Sequence, residues 1–181
     1  MPVLERTLAV LALVALGITV VSVTQLARRR VAPVLVDAAL PLATAIAFVA
    51  TVGSLAMSEV AGYTPCVLCW YQRIAMYPLV VILLVAAVRR DRAVWCTAVP
   101  IAGIGAAIAA WHVAIEHNPS LAGDTCDPAA PCALRWVEEF GFLTLPTMVL
   151  IGFLAIIVLT LVARHAGSLH PDDEHQPPQE T

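Results

Sequence analysis

Long apolar runs separated by short polar clusters set the pattern of this chain. Thr7 to Ala27 carries no charge between Arg6 and Arg28, and Ala38 to Ser58 carries none between Asp37 and Glu59. Trp70 to Val88 is interrupted only by Arg73 in its first turn, and neither Ala93 to Ile115 nor Phe140 to Ala163 contains Asp, Glu, Lys or Arg. Roughly 20 apolar residues in a helix cross a hydrocarbon core of about 30 Å, so the pattern predicts five membrane-spanning helices. The first run is longer than a signal-peptide core, and Thr24-Gln25-Leu26-Ala27 before three arginines is not a small-residue cleavage site, which predicts a retained helix. In the fourth helix Ala102, Ala106 and Ala110, beside Gly103 and Gly105, form a small-residue stripe expected to admit a neighbouring helix.

Composition agrees: the 181 residues are 60% hydrophobic and 13% charged, far from the average of soluble domains. All ten basic residues are arginine, and they alternate. Arg28, Arg29 and Arg30 follow the first helix, Arg89, Arg90 and Arg92 the third, and Arg164 the fifth. By the positive-inside rule those ends face the cytoplasm, so the N-terminus and the loops after the second and fourth helices face outward across the cytoplasmic membrane. Tyr63, Trp70, Tyr71, Trp111 and Trp136 fall where an interfacial aromatic belt belongs on that outer side. Gly167 to Thr181 is polar and proline-rich, with no apolar face to bury, and is expected to be a disordered cytoplasmic tail. No repeat, phosphate-binding loop or nucleic-acid motif occurs.

Four of the five cysteines lie in the outer loops. Cys66 and Cys69 form a Cys-Val-Leu-Cys run at the start of the third helix, and Cys126 and Cys132 sit in the second outer loop. An oxidising compartment permits both pairs to be disulfides. A Cys-x-x-Cys pair at a helix N-terminus is suited to exchange, because the positive end of the helix dipole favours a thiolate. Arg73, four residues after Cys69, shares its helix face and adds a permanent charge that is costly in a membrane without a partner such as a thiolate or a polar cofactor headgroup. The pair in the second loop is reachable from water, as exchange-active disulfides tend to be; as a static staple it would serve only stability. Zinc fits this spacing poorly, so no metal is expected. Cys96 reads as a small buried hydrophobe near the start of the fourth helix. His112, near that helix's outer end, reads as a polar cap of the bundle unless a site at that end gives it another task.

Pro65-Cys66-Val67-Leu68-Cys69-Trp70-Tyr71-Gln72-Arg73 resembles the first-loop motif of the DsbB/BdbC family of membrane thiol oxidoreductases. Cys132-Ala133-Leu134-Arg135-Trp136 and Phe140-Gly141-Phe142-Leu143-Thr144-Leu145-Pro146 resemble its second loop and last helix, and the likeness covers roughly Ala38 to Ala163. The resemblance implies an all-α membrane protein: an extra helix in residues 1–30, a four-helix bundle core in 31–165, and a tail in 166–181. It also implies a thiol:quinone oxidoreductase that reoxidises a thioredoxin-fold partner of the DsbA/BdbD type and passes electrons to ubiquinone or menaquinone. By position, Cys126 would meet the partner, Cys132 would exchange with Cys66, Cys69 would face the quinone, Arg73 would stabilise the thiolate and the quinone oxygens, and His112 would assist proton movement or quinone binding. Two departures stand out: the first helix is additional to the family core, and the second-loop cysteines are closely spaced, as in the BdbC branch. Two other readings compete. A vitamin K epoxide reductase-like enzyme would place its Cys-x-x-Cys after the loop pair, and a membrane transporter or assembly factor would use both disulfides only as staples.

Overall fold

The computed structural model describes residues 2–123, 125–127 and 129–167. It is helical: α1 (Pro2–Ala27), α2 (Pro33–Glu59), α3 (Val67–Arg89), α4 (Trp95–His117) and α5 (Leu145–Gly167). All five are long and apolar enough to cross a membrane, making the chain a multi-pass membrane protein. The expected tail beyond Gly167 lies outside the described residues.

Two of the helices, α2 and α3, start where the sequence supplies a reason. Pro33 opens α2, since a first-turn proline forfeits no helical hydrogen bond. The cap of α3 is a cysteine: Cys66 is extended, and its sulfur accepts the Cys69 backbone N–H at 3.4 Å. At the far end Arg90 turns left-handed (φ 55°) and closes the last turn. α5 begins five residues later than the charge-free window suggests. Phe140 and Gly141 (φ 57° and 76°) instead form a tight turn joining two short strands, β1 (Glu138–Glu139) and β2 (Leu143–Thr144), paired antiparallel. Absence of charge cannot distinguish this hairpin from a first helical turn.

Helices α2, α3, α4 and α5 surround a common core, and α1 packs outside them along α5. Much of the packing is by small residues. Ala39, Ala43 and Ala47 of α2 are fully buried, as are Ala98, Ala102 and Ala109 of α4, against Leu79, Leu83, Phe153, Ile156 and Leu159. Close approach through alanine suits a membrane bundle, where dispersion must replace the hydrophobic drive between helices. The small-residue stripe of α4 is shifted from its expected line: Gly105, Ala102 and Ala106 are buried, but Ala110 is exposed and Gly103 faces open space. At 3.6 residues per turn, the packing face runs through Ala98, Ala102, Gly105 and Ala109. A Cβ on Gly105 would collide with the ring of Phe153, which is fully buried. Gly105→Ala is therefore expected to destabilise the protein by about 1–3 kcal/mol, the usual cost of overpacking, measured as a lower melting temperature in detergent.

Candidate functional site

The two cysteine pairs meet at one end of the bundle. Cys66 and Cys132 are both buried and pack with Leu68 and Ile115 into a small cluster that Cys69 and Cys126 flank. Cys126 and Cys132 are disulfide-bonded, whereas Cys66 and Cys69 are free with their sulfurs 3.2 Å apart. Accessibility differs within the second pair: Cys132 is 2% exposed, and Cys126 is only partly buried.

His112 joins the pairs. Its Nε2 lies 3.1 Å from the Cys132 carbonyl oxygen and 3.7 Å from Cys66 Sγ. A ring nitrogen that close to a carbonyl must carry hydrogen, so in the neutral ring Nδ1 accepts from Gln72 Nε2 at 3.1 Å. One turn on, the buried Glu116 accepts a 2.6 Å hydrogen bond from the Thr144 hydroxyl, and its backbone carbonyl accepts from Arg135. The segment that follows the disulfide is thus tied back to α4 at two points. The Cys66, Cys69 and His112 donor atoms lie within 4.8 Å of one another, but the Nε2–H directed at Cys132 leaves no lone pair on that nitrogen for a cation.

The Cys66 thiol is lowered to about 4, first by the hydrogen bond from Cys69, then by His112 and the Cys69 backbone N–H, against an opposing push from burial. Cys66 is therefore the thiolate of the pair at neutral pH. The thiolate absorbance owed to Cys66, read as the difference between the reduced protein and Cys66→Ser, should stay nearly constant from pH 8 down to 6, where an ordinary thiol titrating near 8.5 loses almost all of it. The sign for stability follows. A depressed pKa gives stabilisation that is complete above the unfolded value and falls away as pH drops through the folded one, so the reduced protein weakens steadily from about pH 8.5 towards 4. An absorbance step near 8.5 would contradict the geometry.

Arg73 is buried, and its hydrogen bonds run across to α2. Nε donates to Ser54 Oγ at 2.9 Å, and Nη2 donates to the Ser54 carbonyl at 2.8 Å and to Ser58 Oγ at 3.0 Å. Its guanidinium also lies 5.0 Å over the Trp70 ring. The partner expected from the sequence was a thiolate or a headgroup. What holds the fork in place is a pair of serines one turn apart on α2, and among the described residues Nη1 makes no hydrogen bond.

Beside these groups is a cavity of about 290 Å³, near the lower end of ligand-pocket sizes. Cys66, Cys69, Gln72, Arg73, His112 and Glu116 line its polar end, and apolar side chains of α1, α2 and α5 line the rest. Two hydroxyls in its lining, Thr51 Oγ1 on α2 and Tyr77 OH on α3, are buried with no hydrogen-bond partner among the described residues. Unpartnered buried donors beside a free guanidinium edge suit a ligand with acceptor oxygens and an apolar body. A quinone has that chemistry.

Of the six sequence-derived candidates all but Cys126 line this cavity, and Cys126 is covalently attached to one that does. Sequence reasoning missed Glu116, Gln72, Ser54 and Ser58. Glu116 had a signal, the i, i+4 spacing from His112, but it falls one residue past the charge-free window ending at Ile115, whereas α4 continues to His117. Cys96 is exposed on the first turn of α4, contrary to the buried position expected, because that turn presents it away from the core face marked by Ala98 and Ala102. The belt aromatics Trp70, Tyr71, Trp111 and Trp136 are each roughly half exposed at this end, while Tyr63 stacks on Trp136 at 5.1 Å.

The chain is similar to a known family and to several of its members. Residues 36–163 match the family described as Disulfide bond formation protein DsbB. The chain is 45% identical over 117 residues to the "Probable disulfide formation protein C 1" of Bacillus cereus, covering 64% of this chain and 84% of that protein. It is 42% identical over 114 residues to "Disulfide bond formation protein C" of Bacillus subtilis, covering 62% and 83%. A "Probable disulfide formation protein" of Metapseudomonas resinovorans is 37% identical over 126 residues, covering 66% and 84%. No solved structure matches. With two cysteine pairs packed at one end of a membrane bundle and a family match that spans both, the chain belongs to the DsbB family of membrane oxidoreductases that form disulfide bonds.

Proposed function

We propose that the protein is a thiol:quinone oxidoreductase that reoxidises a thioredoxin-fold disulfide donor on the outer face of the cytoplasmic membrane. The observation that carries this is the burial of Cys66 with Cys132 under one histidine, beside a cavity that is polar at the cysteines and apolar beyond them. The arginines at the opposite ends of the helices support an outward-facing cysteine end.

The steps balance as two-electron exchanges. A partner dithiol attacks the Cys126–Cys132 disulfide at the more accessible Cys126, forms a mixed disulfide, and leaves as a disulfide once its second thiol resolves it. The reduced loop pair then reduces a Cys66–Cys69 disulfide through Cys132 and Cys66. Cys66 and Cys69 finally close their disulfide again, giving two electrons and two protons to a quinone, ubiquinone or menaquinone, which leaves as quinol. The quinone supplies a two-electron sink soluble in lipid. The chain supplies a thiolate at Cys66, a proton-carrying ring at His112, and hydrogen-bond donors from Arg73, Thr51 and Tyr77.

The test is quinone reduction by purified full-length protein in detergent, supplied with a reduced thioredoxin-fold protein. Turnover that disappears in Cys126→Ser, with quinone binding retained, supports the scheme. If neither ubiquinone nor menaquinone analogues bind or are reduced, quinone is not the acceptor.

A further inference from the structure

Helix α1 lies outside the stretch that matches the family, yet it forms one wall of the cavity. Leu8, Leu11, Ala12, Ala15 and Ile18 face it. From Leu8 to Ile18 is ten residues, or about 15 Å of cavity along the helix axis at about 1.5 Å per residue.

The way α1 is held explains why space remains. It rests on α5, with Ala15 buried against Ile151 and Ala155, and comes close to α2 where Leu8 sits over Gly53. A Cβ on Gly53 would be 2.7 Å from the Leu8 side chain, so the glycine permits this single close approach. Elsewhere the two helices line opposite sides of the cavity. At its start α1 is fastened to both cysteine-bearing segments: Tyr63 OH donates to Glu5 at 2.7 Å, and Arg6 pairs with Glu139 at 3.8 Å.

We propose that α1 closes an otherwise open groove into a slot for the hydrocarbon tail of the acceptor, admitting it from lipid between α1 and α2. This deepens the quinone reading and rests on it. The slot is apolar and uncharged along α1, while every polar group of the cavity lies on α2, α3, α4 or the loops. An amphiphile with an oxygen-bearing head and a hydrocarbon chain matches that division; a small polar oxidant would gain nothing from the α1 wall.

The experiment uses the full chain and two probes, a quinone with a long isoprenoid tail and the same ring without one, titrated by quenching of native tryptophan fluorescence. Ala12→Phe pushes a ring into the slot, Leu11→Ala removes wall from a position already 42% exposed, and Val20→Phe alters α1 at an exposed position outside the cavity lining. Ala12→Phe is expected to weaken the tailed quinone on the order of tenfold, as misfits of one or a few carbons do in apolar pockets. The tail-less ring should change by less than about twofold on that scale. Leu11→Ala should act severalfold in the same selective way, and Val20→Phe should affect neither probe. Because Leu11→Ala threatens no buried packing, it decides the matter if Ala12→Phe fails to fold. Equal effects on both probes, or none on the tailed one, overturn the slot. Failure of the wild type to bind either probe overturns the quinone reading and the slot together.

Discussion

Replacing Cys69 with serine is expected to abolish quinone reduction and to leave the purified protein with a disulfide between Cys66 and Cys132. The two thiols of the first pair are not equivalent. Cys66 holds the thiolate, helped by hydrogen bonds from Cys69, His112 and the first turn of α3, and it is buried with Cys132. Its attack on Cys132 would release Cys126, the half-accessible sulfur, as the leaving thiol. In the wild type Cys69, its sulfur 3.2 Å away, resolves that bond. A serine at 69 can still donate a hydrogen bond to Cys66 but can neither resolve the bond nor complete a two-electron donor. Proteolysis without reductant, followed by mass spectrometry, would identify a fragment joining the α3 cap to the loop after α4. Recovery of Cys66 only as a free thiol in Cys69→Ser, or undiminished turnover, would contradict the assigned order of exchange.

How much of this could be read from the sequence differs from element to element. The five spans were legible because lipid leaves backbone groups no partner outside the helix, so length and apolarity alone identify them. The cysteine pairs were legible from spacing and position. Less accessible was anything that depends on rotation about a helix axis. Ala110 and Gly103 seemed to belong to the α4 packing face and do not, and Cys96 points away from the core. Hairpin β1–β2 hid inside a charge-free window because Phe140 and Leu143 are as apolar as a helical turn would be. The joining of the two pairs through His112 and the anchoring of Arg73 on Ser54 and Ser58 connect residues 15 to 46 positions apart. No local pattern encodes such contacts, and histidine or serine near a helix end is equally consistent with a cap.

Arg73→Leu is expected to lower quinone reduction by about 10²-fold or more while leaving thermal stability unchanged or slightly raised. A charge held among spanning helices is expensive, and replacing a buried charge by a well-packed apolar side chain is often neutral or stabilising. Here the serines left behind need not become orphans. Ser58 Oγ already reaches the Ser54 and Leu55 carbonyls of its own helix, so α2 can satisfy itself without the guanidinium. Stability therefore gives little reason for the arginine. Its three bonds to α2 fix the plane of the guanidinium and leave the two N–H donors of Nη1 unused among the described residues, on a side chain that lines the cavity together with Cys69. Donors preorganised where an acceptor oxygen gains negative charge are commonly worth about 10²–10³ in rate. Arg73→Lys keeps the charge but cannot fork to Ser54 and Ser58 while presenting a further edge, so it should recover only part of the loss. The decisive measurement pairs melting temperature in detergent with initial rates over a range of quinone concentrations. If Arg73→Leu melts well below the wild type and its residual folded fraction reduces quinone normally, the arginine is a clamp between α2 and α3 with no part in the chemistry.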